Sequence, residues 1–247
     1  MPAGAINNFL SGVLDFIYPP RCLVCRKLIQ ENEGLCVDCL EKIQLIEKPY
    51  CHKCGKPLEF EATFEDVQAP VCLDCRNKKL FFNFARSIGR YDGVLKECVH
   101  FLKYRSKKVL LKPISCLISK NLENTFLWEE FSFITPVPLH KKRYREREFN
   151  QAELIADLIG KQFRISVLPQ ALERTVYTSP QIKLNKEERL RNVKGVFKAG
   201  EHPWIRNSRI LLVDDVYTTG STLNECARVL KKAGAQEVYA FTLAHGI

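Results

Sequence analysis

The 247-residue sequence predicts an α/β fold, a parallel β-sheet covered by helices on both faces, with a smaller cysteine-rich module ahead of it. Three observations carry that prediction. An apolar, β-branched run from Ile210 to Val213 stops at two adjacent carboxylates, Asp214 and Asp215, and leads into small hydroxyl residues and a helical pattern. From about residue 81 onward, strand-like and helix-like segments alternate as parallel strands joined by crossover helices do. Eight of the eleven cysteines fall in four Cys-x-x-Cys pairs before residue 76.

With 46% hydrophobic residues the chain can bury one sizeable core and has length left for a small second module. Its 38 basic and 28 acidic residues leave +10, which suits a polyphosphate, a nucleic acid or an anionic surface without choosing among them. No basic and apolar leader opens the sequence and no apolar run reaches bilayer length, so the expected location is cytoplasmic, with reduced thiols.

In chain order, the first expected element is an amphipathic helix within residues 1–20. Ile6, Phe9, Leu10, Val13, Leu14 and Ile17 recur at helical spacing, and without flanking basic residues that face reads as a docking helix rather than a membrane anchor. Residues 21–80 form the cysteine module. Cys22-x-x-Cys25 and Cys36-x-x-Cys39 are separated by ten residues, Cys51-x-x-Cys54 and Cys72-x-x-Cys75 by seventeen. Each set supplies four thiolates, which suits tetrahedral zinc, and a segment with little apolar periodicity needs such a staple to fold. The expectation is two structural zincs with ligands taken in sequence order. Cross-braced pairing and iron–sulfur ligation are the alternatives that spacing leaves open. Basic residues around the knuckles, with Tyr50 and Phe60, offer a track for single-stranded nucleic acid, and a merely solvated face explains the same charges. Cys98, Cys116 and Cys226 read as buried small hydrophobes in helices rather than ligands.

The second module covers residues 81–247. Residues 85–91 read as a strand, Asp92-Gly93 as a turn into a helix carrying Leu95, Cys98, Val99 and Leu102, and residues 108–126 as a second helix. Residues 131–135 form the next strand, entering Pro136-Val-Pro-Leu-His-Lys-Lys-Arg143, where two prolines imply an extended, rigid loop. Asn150 opens a helix, residues 171–176 and 193–199 resume strand character, and residues 237–245 are the last strand.

The stretch from Arg209 to Thr222 organises the rest. A hydroxyl-rich loop after a buried strand aims backbone N–H groups, hydroxyls and a helix dipole at one point, which makes a phosphate cradle. Asp214 and Asp215 require a different partner, and sugar hydroxyls with a magnesium ion supply it, so the ligand read from these residues is a ribose 5-phosphate. The bland alternative is an ordinary turn in which Thr222-x-x-Glu225 is a capping box, but a capping box requires neither paired acids nor Thr-Thr-Gly. Ligands of open parallel sheets sit beyond the carboxyl ends of the strands, which puts residues 138–143 and 214–222 on one rim.

Val213-Asp-Asp-Val-Tyr-Thr-Thr-Gly-Ser-Thr222 resembles the phosphoribosyl pyrophosphate (PRPP) motif of type I phosphoribosyltransferases. With Arg143-Tyr-Arg-Glu-Arg-Glu-Phe-Asn-Gln-Ala-Glu-Leu154, the Arg174-Thr175 and 181–192 segments and the cysteine-rich front, nearly the whole chain is similar to the ComF family of competence-related proteins. One departure stands out: the family pattern Arg-Gly-Phe-Asn-Gln reads Arg147-Glu148-Phe149-Asn150-Gln151 here. The resemblance implies a type I phosphoribosyltransferase sheet behind a double zinc ribbon. It gives Asp214, Asp215 and Arg174 catalytic roles, with the acids on ribose hydroxyls and magnesium. Tyr217, Thr218, Thr219, Gly220, Ser221 and Thr222 would bind the 5-phosphate, and Pro138, Leu139, His140 and Lys141 the pyrophosphate. Lys142 and Arg143 would add charge, and Gln181, Arg189 and Asn192 would belong to a mobile loop. Two function classes follow: a magnesium-dependent phosphoribosyltransferase releasing pyrophosphate, and a single-stranded-DNA-binding protein of DNA uptake, in contact with competence machinery, whose PRPP site is a sensor or scaffold. Met1-Pro2 in place of an N-terminal cysteine argues against a complete amidophosphoribosyltransferase.

Overall fold

The structure, a computed structural model, describes residues 19–29, 33–58, 69–105, 108–178 and 193–247. The helix expected at residues 5–18 lies outside them, as do Phe60, Gln181, Arg189 and Asn192.

The cysteine region repeats one small design twice. Cys22 N–H donates to Lys27 O (2.9 Å) and Arg26 N–H to Cys22 O (3.0 Å); in the second copy Cys51 N–H donates to Lys56 O (2.8 Å) and Gly55 N–H to Cys51 O (2.9 Å). Each knuckle turns through a left-handed residue, Arg26 (φ 65°) and Gly55 (φ 76°). A side chain at Gly55 would have its Cβ 2.9 Å from Ala85 O, so the second copy needs glycine where the first tolerates arginine. The second half of each copy is one helical turn that starts at a cysteine: α1 (Val37–Glu41) after Cys36 and α2 (Leu73–Arg76) after Cys72.

The sheet is built from β1 (Ala85–Arg90), β2 (Phe133–Pro136), β5 (Arg209–Tyr217) and β6 (Glu237–His245), in the order β1-β6-β5-β2. All three pairings are parallel. Its interior strands are apolar on both faces, as a parallel sheet requires. Leu211 and Val213 of β5 join Phe241 and Leu243 of β6 on one face, under α3 (Gly93–Arg105), α4 (Leu111–Leu122) and α6 (Gln151–Phe163). Ile210 and Leu212 join Val238 and Ala240 on the other, under Leu223, Cys226, Ala227 and Leu230 of α7 (Ser221–Lys232). Each Leu, Ile, Val and Phe among these contributes roughly 1.5–3 kcal/mol by leaving water. Both sheet edges are covered. Residues 44–46 lie along β1 through Ile46 N–H to Ile88 O (2.9 Å) and Arg90 N–H to Gln44 O (2.8 Å), and residues 166–168 flank β2.

Four expectations are corrected. Cys116 is exposed on α4 and not buried with Cys98 and Cys226. The strands read at residues 171–176 and 193–199 shrink to β3 (Leu172–Arg174) and β4 (Phe197–Ala199), which pair antiparallel with each other and stay out of the main sheet. The loop expected through residues 138–143 is short, because α5 (Lys141–Arg147) starts at once, capped by His140. And β5 does not stop at Asp214: it runs through both acids to Tyr217, held by pairing of Asp214 with Thr242 and of Val216 with Ala244. No helix among the described residues is long and apolar enough to cross a membrane.

Candidate functional site

The carboxyl rim of the sheet brings together the residues that the sequence marks. Because β5 stays extended through Asp214 and Asp215, the two neighbours point to opposite faces. Asp215, 8% exposed, meets α3, where the Lys103 ammonium lies 2.6 Å from its Oδ2. Asp214 turns toward the α7 side, where the charge of Arg174 and the Cys226 thiol are its neighbours. Its Oδ1 accepts the Asp215 N–H at 2.8 Å. Burial, with the Asp215 charge beside it, pushes the Asp214 carboxyl up to about 7, against the pull of Lys103. For Lys103, burial works against the charge and Asp215 outweighs it, so the ammonium is held above its ordinary range.

Beyond the acids, Tyr217 is buried, Thr218 exposed, and Gly220 takes a left-handed conformation (φ 73°) as the residue before α7. Gly220 has no side chain to cap this helix, and of the first N–H groups Ser221 N–H donates to Thr219 Oγ1 at 3.3 Å, while the positive end of the helix faces the rim. Thr219 and Ser221 share a hydroxyl–hydroxyl hydrogen bond of 2.7 Å inside the turn. Glu225 is not the partner in a capping box: it accepts Gly195 N–H at 2.8 Å and pairs with Arg228 at 2.7 Å. The turn is braced from the cysteine region, since Lys78 Nζ donates to Thr219 O (3.3 Å). Asn224 ties α7 to the same segment, accepting Phe81 N–H at 2.7 Å and donating to Lys79 O at 3.0 Å. From β6, His245 stacks on Tyr217 with centroids 4.6 Å apart.

The second loop of the rim follows β2. Pro138, Leu139 and His140 are half-buried, and His140 Nδ1 accepts Lys142 N–H at 3.2 Å, so this histidine has a structural task as a cap. Lys141 pairs with Glu173 at 3.3 Å, and Arg143 donates to Thr178 O at 3.3 Å. Arg174 donates to Thr178 Oγ1 at 2.5 Å and lies over Phe197, while its Nε has no protein partner among the described residues. Burial, then the charge of Arg143, holds this guanidinium below its ordinary pKa. Residues 138–143, Arg174 and Asp214 thus share one rim. Sequence reasoning missed Lys103, Lys78 and Asn224, whose partners lie more than a hundred residues away and leave no local pattern.

The cysteines assemble in sequence order, Cys22, Cys25, Cys36 and Cys39 in one group and Cys51, Cys54, Cys72 and Cys75 in the other, with all four sulfurs of each within 4.8 Å of one another. The Cys22–Cys39 and Cys25–Cys36 separations are 3.6 Å and Cys54–Cys72 is 3.8 Å. Four sulfurs about 2.3 Å from one zinc stand about 3.8 Å apart, so the sets fit a single tetrahedral ion and leave no room for a cluster of several irons.

Family comparison agrees with both regions. The double zinc ribbon domain matches residues 13–76 and the phosphoribosyl transferase domain residues 175–246. Competence protein F of Haemophilus influenzae is 30% identical over 232 residues, 91% of this chain and 96% of that protein. Competence protein ComFC of Bacillus subtilis is 29% identical over 223 residues, 87% of this chain and 86% of its own. The DNA utilization protein YhgH of Escherichia coli K12 is 28% identical over 229 residues, 91% and 96% of the two chains. With a double zinc ribbon ahead of a phosphoribosyltransferase-like sheet and likeness along nearly its whole length, this chain belongs to the ComF family of competence proteins.

Proposed function

We propose that the rim binds PRPP together with magnesium, and that it does so in the handling of DNA during uptake and transformation. The observation that carries the reading is the β5–α7 turn, where two acids precede a hydroxyl-rich helix start at the carboxyl edge of a parallel sheet. The residues present fit the ligand by their chemistry. Tyr217 to Thr222 offer N–H groups and hydroxyls to a phosphate, while Asp214 and Asp215 offer only acceptors, which suit ribose hydroxyls and a hard cation. Lys141, Arg143 and Arg174 supply positive charge to a pyrophosphate, with Pro138, Leu139 and His140 beside it. When bound, magnesium would neutralise charge on a leaving pyrophosphate. The two cysteine groups would each hold a structural zinc, since four thiolates leave no open position for a substrate.

The test is calorimetric titration of the zinc-loaded protein with PRPP and magnesium. Binding is expected for the wild type and loss of it for a folded Asp214→Asn/Asp215→Asn variant; unchanged affinity in that variant removes the assignment. Pyrophosphate release in the presence of candidate acceptors then separates a transferase from a sensor.

A second reading, binding of single-stranded DNA, is favoured by α5. This helix buries none of its residues and carries Lys141, Lys142, Arg143, Arg145 and Arg147. Exposed tyrosines surround it: Tyr144, Tyr177 under Lys142 (4.9 Å to the ring), and Tyr104 under Arg147 (5.2 Å). Among the zinc-ribbon residues, by contrast, Tyr50 is only half-exposed, with Arg86 against its ring (4.8 Å). Cations interleaved with exposed rings suit a phosphate backbone and stacked bases. Affinity for an oligothymidylate should fall steeply with salt, and the slope should flatten by about 1.4 for Lys142→Ala/Arg143→Ala. An unchanged slope in that variant places the DNA elsewhere.

A further inference from the structure

Lys103 belongs to α3, which follows the first strand of the sheet, yet its ammonium reaches the acids at the end of the third strand in spatial order. The pair it makes with Asp215 is largely withdrawn from water, the two side chains being 23% and 12% exposed. The same ammonium lies in the field of Asp214 and of Tyr91, the residue that leaves β1 on this rim. Two adjacent carboxylates at a sheet edge would repel each other and lose hydration; this one ammonium pairs with Asp215 directly and acts on Asp214 through its field. A divalent cation seeks those same carboxylate oxygens.

We propose that Lys103 is the resident counter-cation of the acidic pair, a positioning residue that fixes Asp215 in the ligand-free protein and makes the pair resist a divalent cation arriving alone. The inference rests on the reading of Asp214 and Asp215 as the cation-binding acids. A bare cation gains access to Asp215 only by breaking a short, screened ion pair and stranding an ammonium beside a dication. A cation that arrives on a polyphosphate brings negative charge to which the ammonium can turn, so the cost of opening the pair is offset within the same event. Cation and ligand binding are therefore cooperative, and Lys103 sets the coupling. A pair serving only to bolt α3 to β5 would leave cation affinity unmoved when the charge is removed.

The experiment measures manganese binding to the zinc-loaded full chain by electron paramagnetic resonance, without PRPP. Wild type and Lys103→Arg are expected to bind the ion weakly, and Lys103→Met, which keeps the stem and removes the charge, to bind it roughly tenfold more tightly or better. Adding Asp215→Asn to Lys103→Met should abolish the gain. Lys103→Gln gives the same readout if the methionine variant does not fold. A folded charge-free variant with wild-type manganese affinity overturns the proposal, as does a gain that survives Asp215→Asn. Because no PRPP enters the measurement, failure of the wild type to bind PRPP counts against the proposed function and leaves this result standing.

Discussion

His245 closes β6 with 2% of its surface exposed, its ring on Tyr217, and its Nε2 without a protein partner among the described residues. Burial holds this imidazole down at about 4, against 6.5 for an ordinary histidine. The sign of the consequence follows from which state takes the proton. The unfolded chain protonates His245 below about 6.5 and the folded chain only near 4, so the stability tied to keeping it neutral is complete above 6.5 and is lost as pH falls toward 4. Fully developed, the effect is about 3 kcal/mol. Urea denaturation at pH 7 and pH 4.5 should show a stability gap between wild type and His245→Gln that changes by most of that amount, and a constant gap contradicts the assignment. At this scale the sequence was informative where chemistry is concentrated in a few neighbours. Asp214, Asp215 and the hydroxyl turn were legible because no ordinary strand end needs them. Lys103 was not, because it ends a helix on the wrong side of two strands and looks there like any basic C-terminal residue.

Elements were legible where burial imposes a period. β1, α3, α6 and β6 fall where apolar spacing puts them, and β6 keeps its expected bounds. α5 was missed for the complementary reason: with nothing buried it has no apolar period to read, and the prolines before it signalled a loop. β3 and β4, three residues each, are too short for alternation to reveal a partner. The end of α5 carries information in a different form. Glu148 caps it in a left-handed conformation (φ 65°, ψ −5°), its N–H donating to Tyr144 O at 2.7 Å, and this is the position at which the related pattern has glycine. In this chain glutamate adopts the left-handed turn under strain. Glu148→Gly should raise stability by about 0.5–1 kcal/mol, measured as an upward shift in thermal midpoint, since relief of that strain exceeds the entropy glycine regains on unfolding. A lower midpoint would mean that the glutamate side chain makes a compensating contact.

Over the whole molecule, the cysteine region is not an appendage. Cys22, Cys36 and Cys39 pack into the core cluster that holds Leu95, Cys98 and Leu211, on one face of the sheet. Cys51, Cys54 and Cys75 pack into the other, with Ala85, Tyr217 and Leu223. The sequence announced the ligand groups but not this embedding, because the contacts join segments that share no local pattern. The hold of Lys78 on Thr219 and of Asn224 on residues 79 and 81 gives the second group a grip on the β5–α7 turn. A grip of this kind works in both directions with equal strength. If an ion on Cys51, Cys54, Cys72 and Cys75 steadies that turn, a ligand held there would raise the ion's affinity by the same factor by which the ion raises the ligand's. Metal supply and ribose phosphate supply would then be read by this protein as a single quantity.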